Sequence, residues 1–275
     1  MILSSGSAAL PGTAPWLLAV GAVLAYALAM LPGGGGAPRD PWRGGALLAG
    51  WAMHLLLLML DIGGWGDDAS GARLGFAPVL SITVWLVIAV HAIESRLLPA
   101  AGVRRVLAGA GIAVVLLMWW FPGDVRPITS AWAPLHFVLG VASYGLFGVA
   151  VLHALLLDAS ERRMRARRAP PVGALGMPLL QLERLTFRFV GAGLIVLTAT
   201  LALGLLTVGA WQWSDRKTVL SLLGWAVFAA LLVGRRWRGW RGRQATAWLY
   251  SGAVLLLLAY AGSRFVLEVV LQRNG

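Results

Sequence analysis

The chain has 275 residues, of which 59% are hydrophobic and only 12% are charged, and its mean hydropathy is +0.78. Soluble domains carry roughly a quarter charged residues, so this composition excludes a soluble globular fold. The absence of cysteine excludes disulfides, thiolate metal sites, iron–sulfur clusters and a cysteine nucleophile. The net charge of +12 does not indicate nucleic-acid binding, because the basic residues cluster in short segments between apolar runs.

Apolar runs long enough to cross a bilayer predict about eight transmembrane helices. In chain order they cover 15–31, 44–61, 75–97, 103–121, 131–158, 184–208, 217–233 and 243–271. The expected fold class is therefore all-α, a polytopic membrane helix bundle that forms one integral membrane domain over residues 1–275. Between the fifth and sixth runs, residues 177–185 are expected to form a short helix along the membrane interface.

The basic residues indicate how the bundle is oriented. Most of the 23 Lys and Arg residues fall in alternate loops, including the segments 162–168 and 235–243. Loops rich in arginine face the cytoplasm, so we expect both termini on the periplasmic or outer side of a bacterial inner membrane. The basic half of the loop over 159–183 is expected to lie against anionic headgroups, and the run over 235–243 is expected to be a cytoplasmic loop anchored at the interface. The lipid bilayer is therefore an expected partner.

All four histidines fall within predicted spans, where polar side chains are costly and often functional. Helical rise places His136 roughly 7 Å and His54 roughly 10 Å from the outer ends of their helices. The face of His136 continues through Gly140, Ser143 and Phe147, and its small residues would let another helix or a flat ligand approach closely. His136 and His54 either supply axial ligands to haem iron or are hydrogen-bonded core histidines.

His91 and His153 lie near the cytoplasmic ends of their helices, and for them the pattern favours core packing over ligation. The sequence contains no Gly-x-Ser-x-Gly and no His-Glu-x-x-His motif, so a hydrolase or a protease is poorly supported.

Two further groups of residues lie on the outer side. Trp211 and Trp213 are either anchors at the membrane interface or an apolar shelf for a porphyrin face. Arg264 either forms an intrahelical pair with Glu268 or binds a ligand carboxylate, such as a haem propionate.

Three stretches of the second half resemble the cytochrome c assembly membrane-protein family, which includes CcsA/ResC and CcmC types and a shorter YpjD/HemX-like branch. They are PLHFVLGVASYGLFGVAVLHALLLDASERRMR, WSDRKTVLSLLGWAVFAALLVGRRWRGWRGRQA and LLAYAGSRFVLEVVL. The similarity is strongest over 131–272 and is nearest to the YpjD-like branch.

The resemblance implies a role in cytochrome c biogenesis or haem delivery, with haem b as cofactor and other maturation proteins as partners. In the family a tryptophan-rich outer segment binds haem, and flanking outer histidines ligate its iron. His136 occupies the position of the first flanking histidine, and Trp211, Trp213 and Asp215 resemble a reduced form of that segment. No histidine follows His153 and no cysteine is present, so the resemblance implies a haem-handling accessory protein rather than a complete haem ligase.

Two other classes of function remain open. The inward-facing polar groups are also compatible with a transporter for a small anionic metabolite. A non-catalytic scaffold that stabilises a partner membrane protein is the third alternative.

Overall fold

The computed structural model describes residues 13–31, 41–62, 72–97, 101–126, 131–166, 179–208, 216–262 and 265. These residues form eight α-helices. They are α1 (Thr13–Met30), α2 (Pro41–Ile62), α3 (Phe76–Leu97), α4 (Ala101–Trp120), α5 (Ala133–Arg165), α6 (Leu179–Val208), α7 (Arg216–Arg238) and α8 (Gly242–Leu257). Residues Leu258–Gly262 continue α8 as a turn of π-helix. The predicted all-α bundle is confirmed.

Seven of these helices, α2 to α8 with its π-helical extension, are long and apolar enough to cross a membrane, and α1 adds a shorter apolar helix. The 33 residues of α5 reach about 50 Å at 1.5 Å per residue, well beyond a hydrocarbon core of about 30 Å. Its last turn, which carries Arg162, Arg163 and Arg165, therefore extends past the apolar layer.

The helices pack as two groups, α1–α4 and α5–α8, that meet mainly where α3 contacts α5. In the first group, the ring of Tyr26 on α1 fits between α2 and α4, because a Cβ added at Gly50 or Gly111 would lie under 3 Å from it. In the second group, Phe147 of α5 stacks on Phe228 of α7, with ring centroids 3.9 Å apart. Small residues of α5 let α3 approach closely and join the two groups.

A short antiparallel ribbon, which is absent from the elements predicted from the sequence, links the ends of two helices. Strand β1 (Ala72–Leu74) precedes α3 and pairs with β2 (Asp124–Arg126), which follows α4, and Ala72 lies opposite Arg126. Three residues per strand are too few for a periodic pattern to show in the sequence.

The expected short interfacial helix over 177–185 is wrong for its described part, because residues from Leu179 onward form the first turns of α6. No glycine or proline interrupts the chain between Leu179 and Val190, so the helix runs on without a break. Leu182 is completely buried, and Glu183 accepts a hydrogen bond from Arg235 of α7. These first turns therefore pack against the bundle rather than lying along the membrane.

Candidate functional site

A cavity of about 420 Å³ lies between α5, α6, α7 and the π-helical end of α8. Its volume falls within the usual range of small-molecule sites, about 300–1,000 Å³. Most of its wall is apolar, and polar side chains reach it from α5, α6, α7 and the π-helical turn. The lining residues are Val79, His136, Phe137, Gly140, Val141, Ser143, Tyr144, Leu197, Thr200, Leu201, Gly204, Leu205, Lys217, Thr218, Ser221, Leu256, Ala259 and Tyr260.

His136 stands in the first turns of α5, and its imidazole is exposed at the cavity. The ring lies against Gly204 of α6, where an added Cβ would be 3.1 Å from Cε1 and 3.6 Å from Nδ1 of the histidine. Among the described residues, no hydrogen bond or ion pair involves this imidazole. The ring can therefore offer a nitrogen lone pair to a ligand in the cavity.

The helix face predicted to accompany His136 lines the same cavity through Gly140 and Ser143. The hydroxyl of Ser143 donates a hydrogen bond to the carbonyl of Gly140, 2.7 Å away. Phe147, one turn further along α5, is buried against Phe228 instead. The small-residue face thus leaves open space only in the turns nearest His136.

Polar side chains from the start of α7 form a second part of the wall, and none of them is among the site residues predicted from the sequence. Lys217, Thr218 and Ser221 lie in the first two turns of this helix and line the cavity. Lys217 and Ser221 are four residues apart, a spacing that places them on one helix face. That spacing, directly after the tryptophan-containing segment, was the available sequence signal.

The π-helical turn at the end of α8 contributes Ala259 and Tyr260 to the cavity. The hydroxyl of Tyr144 on α5 donates a 2.7 Å hydrogen bond to the carbonyl of Leu256, just before this turn. π-Helical turns occur frequently at functional sites, because they redirect side chains that a regular helix would place elsewhere.

His54 is in a different place from His136 and does not line the cavity. It is completely buried, with Nε2 2.7 Å from Oγ of Ser81 and Nδ1 3.2 Å from the hydroxyl of Tyr26. Both ring nitrogens are thus engaged in hydrogen bonds that join α1, α2 and α3. The structure does not bring His54 and His136 together as a pair facing one ligand.

His91 and His153 are buried at 3% and 1% exposure, as their expected packing role requires. Nε2 of His153 lies 3.0 Å from Oε2 of Glu94, so the pair joins α5 to α3. Within the described part of the chain, Nδ1 of His153 has no hydrogen-bond partner.

Four of the predicted site residues, Trp211, Trp213, Asp215 and Arg264, lie outside the described residues. Along the chain, the first three are close neighbours of Lys217, which lines the cavity, and Arg264 comes shortly after Tyr260. Across the described ranges, no group of three or more His, Asp or Glu residues is arranged to hold a bare metal ion.

Comparisons with curated proteins give partial matches. An "Uncharacterized 28.8 kDa protein in nifR3-like 5'region" of Azospirillum brasilense is 33% identical over 144 residues, 51% of this chain and 53% of the relative. Inner membrane protein YpjD of Escherichia coli K12 is 33% identical over 138 residues, 50% of this chain and 52% of the relative. Cytochrome c biogenesis protein CcsA of a Synechococcus strain is 30% identical over 169 residues, 50% of this chain and 55% of the relative.

The chain thus spans about half the length of the curated relatives it matches. No solved structure matches it. The family model described as "Cytochrome C assembly protein" matches residues 44–271, which extends well into the first half and confirms the resemblance inferred from the second half. Because this match covers most of the chain, the chain belongs to the cytochrome c assembly protein family.

Proposed function

We propose that this protein binds haem in the cavity beside His136 and handles it as an accessory of cytochrome c biogenesis in the inner membrane. The observation that carries the proposal is an imidazole without a hydrogen-bond partner among the described residues, exposed to a mostly apolar cavity of about 420 Å³. A porphyrin brings four nitrogen donors of its own, so a single histidine is enough to hold its iron.

The lining residues fit such a ligand in three respects. The imidazole of His136 would hold the iron through a ring nitrogen, while Leu197, Leu201 and Leu205 of α6 would exclude water from one side. The ammonium group of Lys217 and the hydroxyl of Ser221 suit the carboxylates of the propionates at a polar edge. Bound haem supplies a redox-active iron, and the protein orients it and shields it from solvent.

The family context supports this function at a coarser level. One relative is named a cytochrome c biogenesis protein and another an inner membrane protein, which agrees with the predicted location. Haem b as the cofactor, Trp211, Trp213, Asp215 and Arg264 as further contacts, and maturation proteins as partners remain part of the proposal. Since the chain has no cysteine, it cannot itself exchange disulfides with an apocytochrome, which favours an accessory role.

Absorption spectroscopy of the purified full-length protein tests the proposal. We expect added haem to give a Soret band that is shifted or lost in His136→Ala and is restored by free imidazole. Residues that only support a metal ligand contribute about 10–100-fold to affinity, so loss of the ligand itself should cost at least as much.

His54→Ala is the comparison variant in this experiment. If His54 does not ligate iron in this arrangement, His54→Ala changes stability but leaves the Soret maximum in place. A haem band that is the same in wild type and His136→Ala, or no band at all, contradicts the proposal and favours the transporter or scaffold alternatives.

A further inference from the structure

The chain reverses between α7 and α8 in a short turn with a defined backbone. Helix α7 ends at Arg238 and α8 begins at Gly242, which leaves three residues for the connection. Gly239 and Gly242 have φ angles of +68° and +56°, in the left-handed region that side chains disfavour. The two glycines therefore fix the path of the turn.

Trp240 attaches this turn to both helices that it joins. Its backbone N–H donates to the carbonyl of Gly234 in α7, 3.4 Å away, and its indole covers Gly234 so closely that a Cβ there would overlap the ring. The same indole stacks on Trp248 of α8, with centroids 5.1 Å apart. The turn is thus a packed element with a set position.

Five arginines occupy the last turn of α7, the connection and the first residues of α8. Arg235 is engaged within the bundle, since it donates a 2.6 Å hydrogen bond to Glu183 and lies 3.8 Å over the ring of Phe187. The other four are exposed, and among the described residues none of them pairs with a carboxylate. We call these four the arginine turn: Arg236, Arg238, Arg241 and Arg243.

Two carboxylates at the end of α5, Glu161 and Asp158, are occupied by other partners. Glu161 at the end of α5 approaches Gly242 but pairs with Arg165 at 3.1 Å. Asp158 accepts hydrogen bonds from the hydroxyls of Tyr250 and Thr246. Within the described structure, the positive charge of the arginine turn is therefore left for an anion from outside the chain.

An exposed indole lies between the first two arginines of the arginine turn. Trp237 is 83% exposed, between Arg236 and Arg238 at the end of an apolar helix. Tryptophan favours the level of the lipid headgroups, where its apolar ring and its N–H are both accommodated. The indole suits the apolar acyl chains and the guanidinium groups suit the anionic headgroups, so together they match the surface of an anionic membrane.

We propose that the arginine turn is a binding site for anionic phospholipids of the adjacent leaflet, an interaction separate from haem binding. Guanidinium groups bind phosphate oxygens in pairs, with a geometry that ammonium groups cannot reproduce. The turn closes two helices long enough to cross the membrane, so it is held at headgroup level. At headgroup level the arginines are already in contact with lipid. Nucleic acid or a soluble protein would have to displace that lipid in order to bind them.

Native mass spectrometry of the full-length protein in detergent tests this site, with phosphatidylglycerol and phosphatidylcholine of equal chain length as probes. We expect the wild type to prefer phosphatidylglycerol. In Arg238→Gln/Arg241→Gln this preference should fall by at least about tenfold, because each basic residue near the headgroups contributes several-fold. The Soret band that depends on His136 should remain, which separates this test from that of the haem proposal.

Two further variants distinguish lipid binding that depends on the geometry of the arginine turn from lipid binding to any positive charge. Arg184→Gln/Arg188→Gln removes two exposed arginines of α6 and should keep the preference. Gly239→Ala keeps every charge and meets no atom within 4 Å, but its φ of +68° strains the turn, so binding should weaken. An equal loss in the α6 variant, wild-type binding by Gly239→Ala, or equal competition by glycerol phosphate or a short RNA would overturn the proposal.

Discussion

His136 and His54 show how the same residue type at a similar predicted depth can have opposite surroundings. The ring of His136 faces open space because the residue opposite it is Gly204. The ring of His54 is enclosed, because Tyr26 and Ser81 reach both of its nitrogens. Their distance from the helix ends follows from the sequence, but the neighbours that occupy or free each nitrogen belong to other helices, and a single-helix pattern cannot reveal them.

Gly204→Ala tests the contact that positions His136. The added Cβ would lie 3.1 Å from Cε1 of the imidazole, so the ring must shift by a few tenths of an ångström. A ring held off its preferred rotamer costs about 0.5–1.5 kcal/mol, so we expect haem affinity to fall by a few-fold to about tenfold. Titration of the purified protein with haem, followed at the Soret band, measures this change.

Gly191→Ala on the same helix is the matched control, because an added Cβ there meets no atom within 4 Å. Both Gly→Ala substitutions raise the intrinsic helix propensity of α6 by a similar free energy, about 1 kcal/mol. Equal haem affinity in the two variants would mean that the His136 ring does not rest on α6.

At the scale of helices, the pair formed by Glu94 and His153 fixes α3 against α5. The imidazole is 1% exposed, and its Nε2 lies 3.0 Å from the carboxylate. The sequence placed both residues near the cytoplasmic ends of their helices, but it did not indicate that the two helices are neighbours. Their close approach depends on Gly145 and Gly148, which accommodate Leu86 and Val87 of α3.

Glu94→Ala should destabilise the bundle, because it leaves a buried imidazole without the partner that the structure shows. An unsatisfied buried polar group costs about 1–3 kcal/mol. We expect a clear fall in the thermal unfolding midpoint, measured in detergent with the cofactor absent.

Glu161→Ala provides the control for this effect. Glu161 pairs with Arg165, whose side chain is 73% exposed, and exposed pairs contribute about 0–1 kcal/mol. If both substitutions lower the midpoint equally, the pair between α3 and α5 is not a specific source of stability.

For the molecule as a whole, the distribution of arginine predicts which side faces the cytoplasm. Arg216 and Arg236 are exposed at opposite ends of α7, and the basic excess lies at the end of Arg236. The absence of native cysteine gives single-cysteine variants a background free of labelling. We expect a membrane-impermeant maleimide to label Arg216→Cys in spheroplasts and Arg236→Cys only after permeabilisation.

Each variant is the control for the other in this experiment, since both replace an exposed arginine on one helix. Labelling of Arg236→Cys in intact spheroplasts, with Arg216→Cys protected, would reverse the predicted orientation of the bundle and of both termini. The cavity beside His136 would then open toward the cytoplasmic side.

The sequence by itself determined the membrane bundle, the number and approximate extent of its helices and its family, because these follow from the length and composition of apolar runs and from local motifs. The tertiary structure alone decided which histidine faces a cavity, that Lys217 and Ser221 border it, and that α8 ends in a π-helical turn. Those features depend on contacts between residues far apart in the chain. The spacing of polar residues can mark one face of a helix, as it does for Lys217 and Ser221, but it does not show which other helices that face meets.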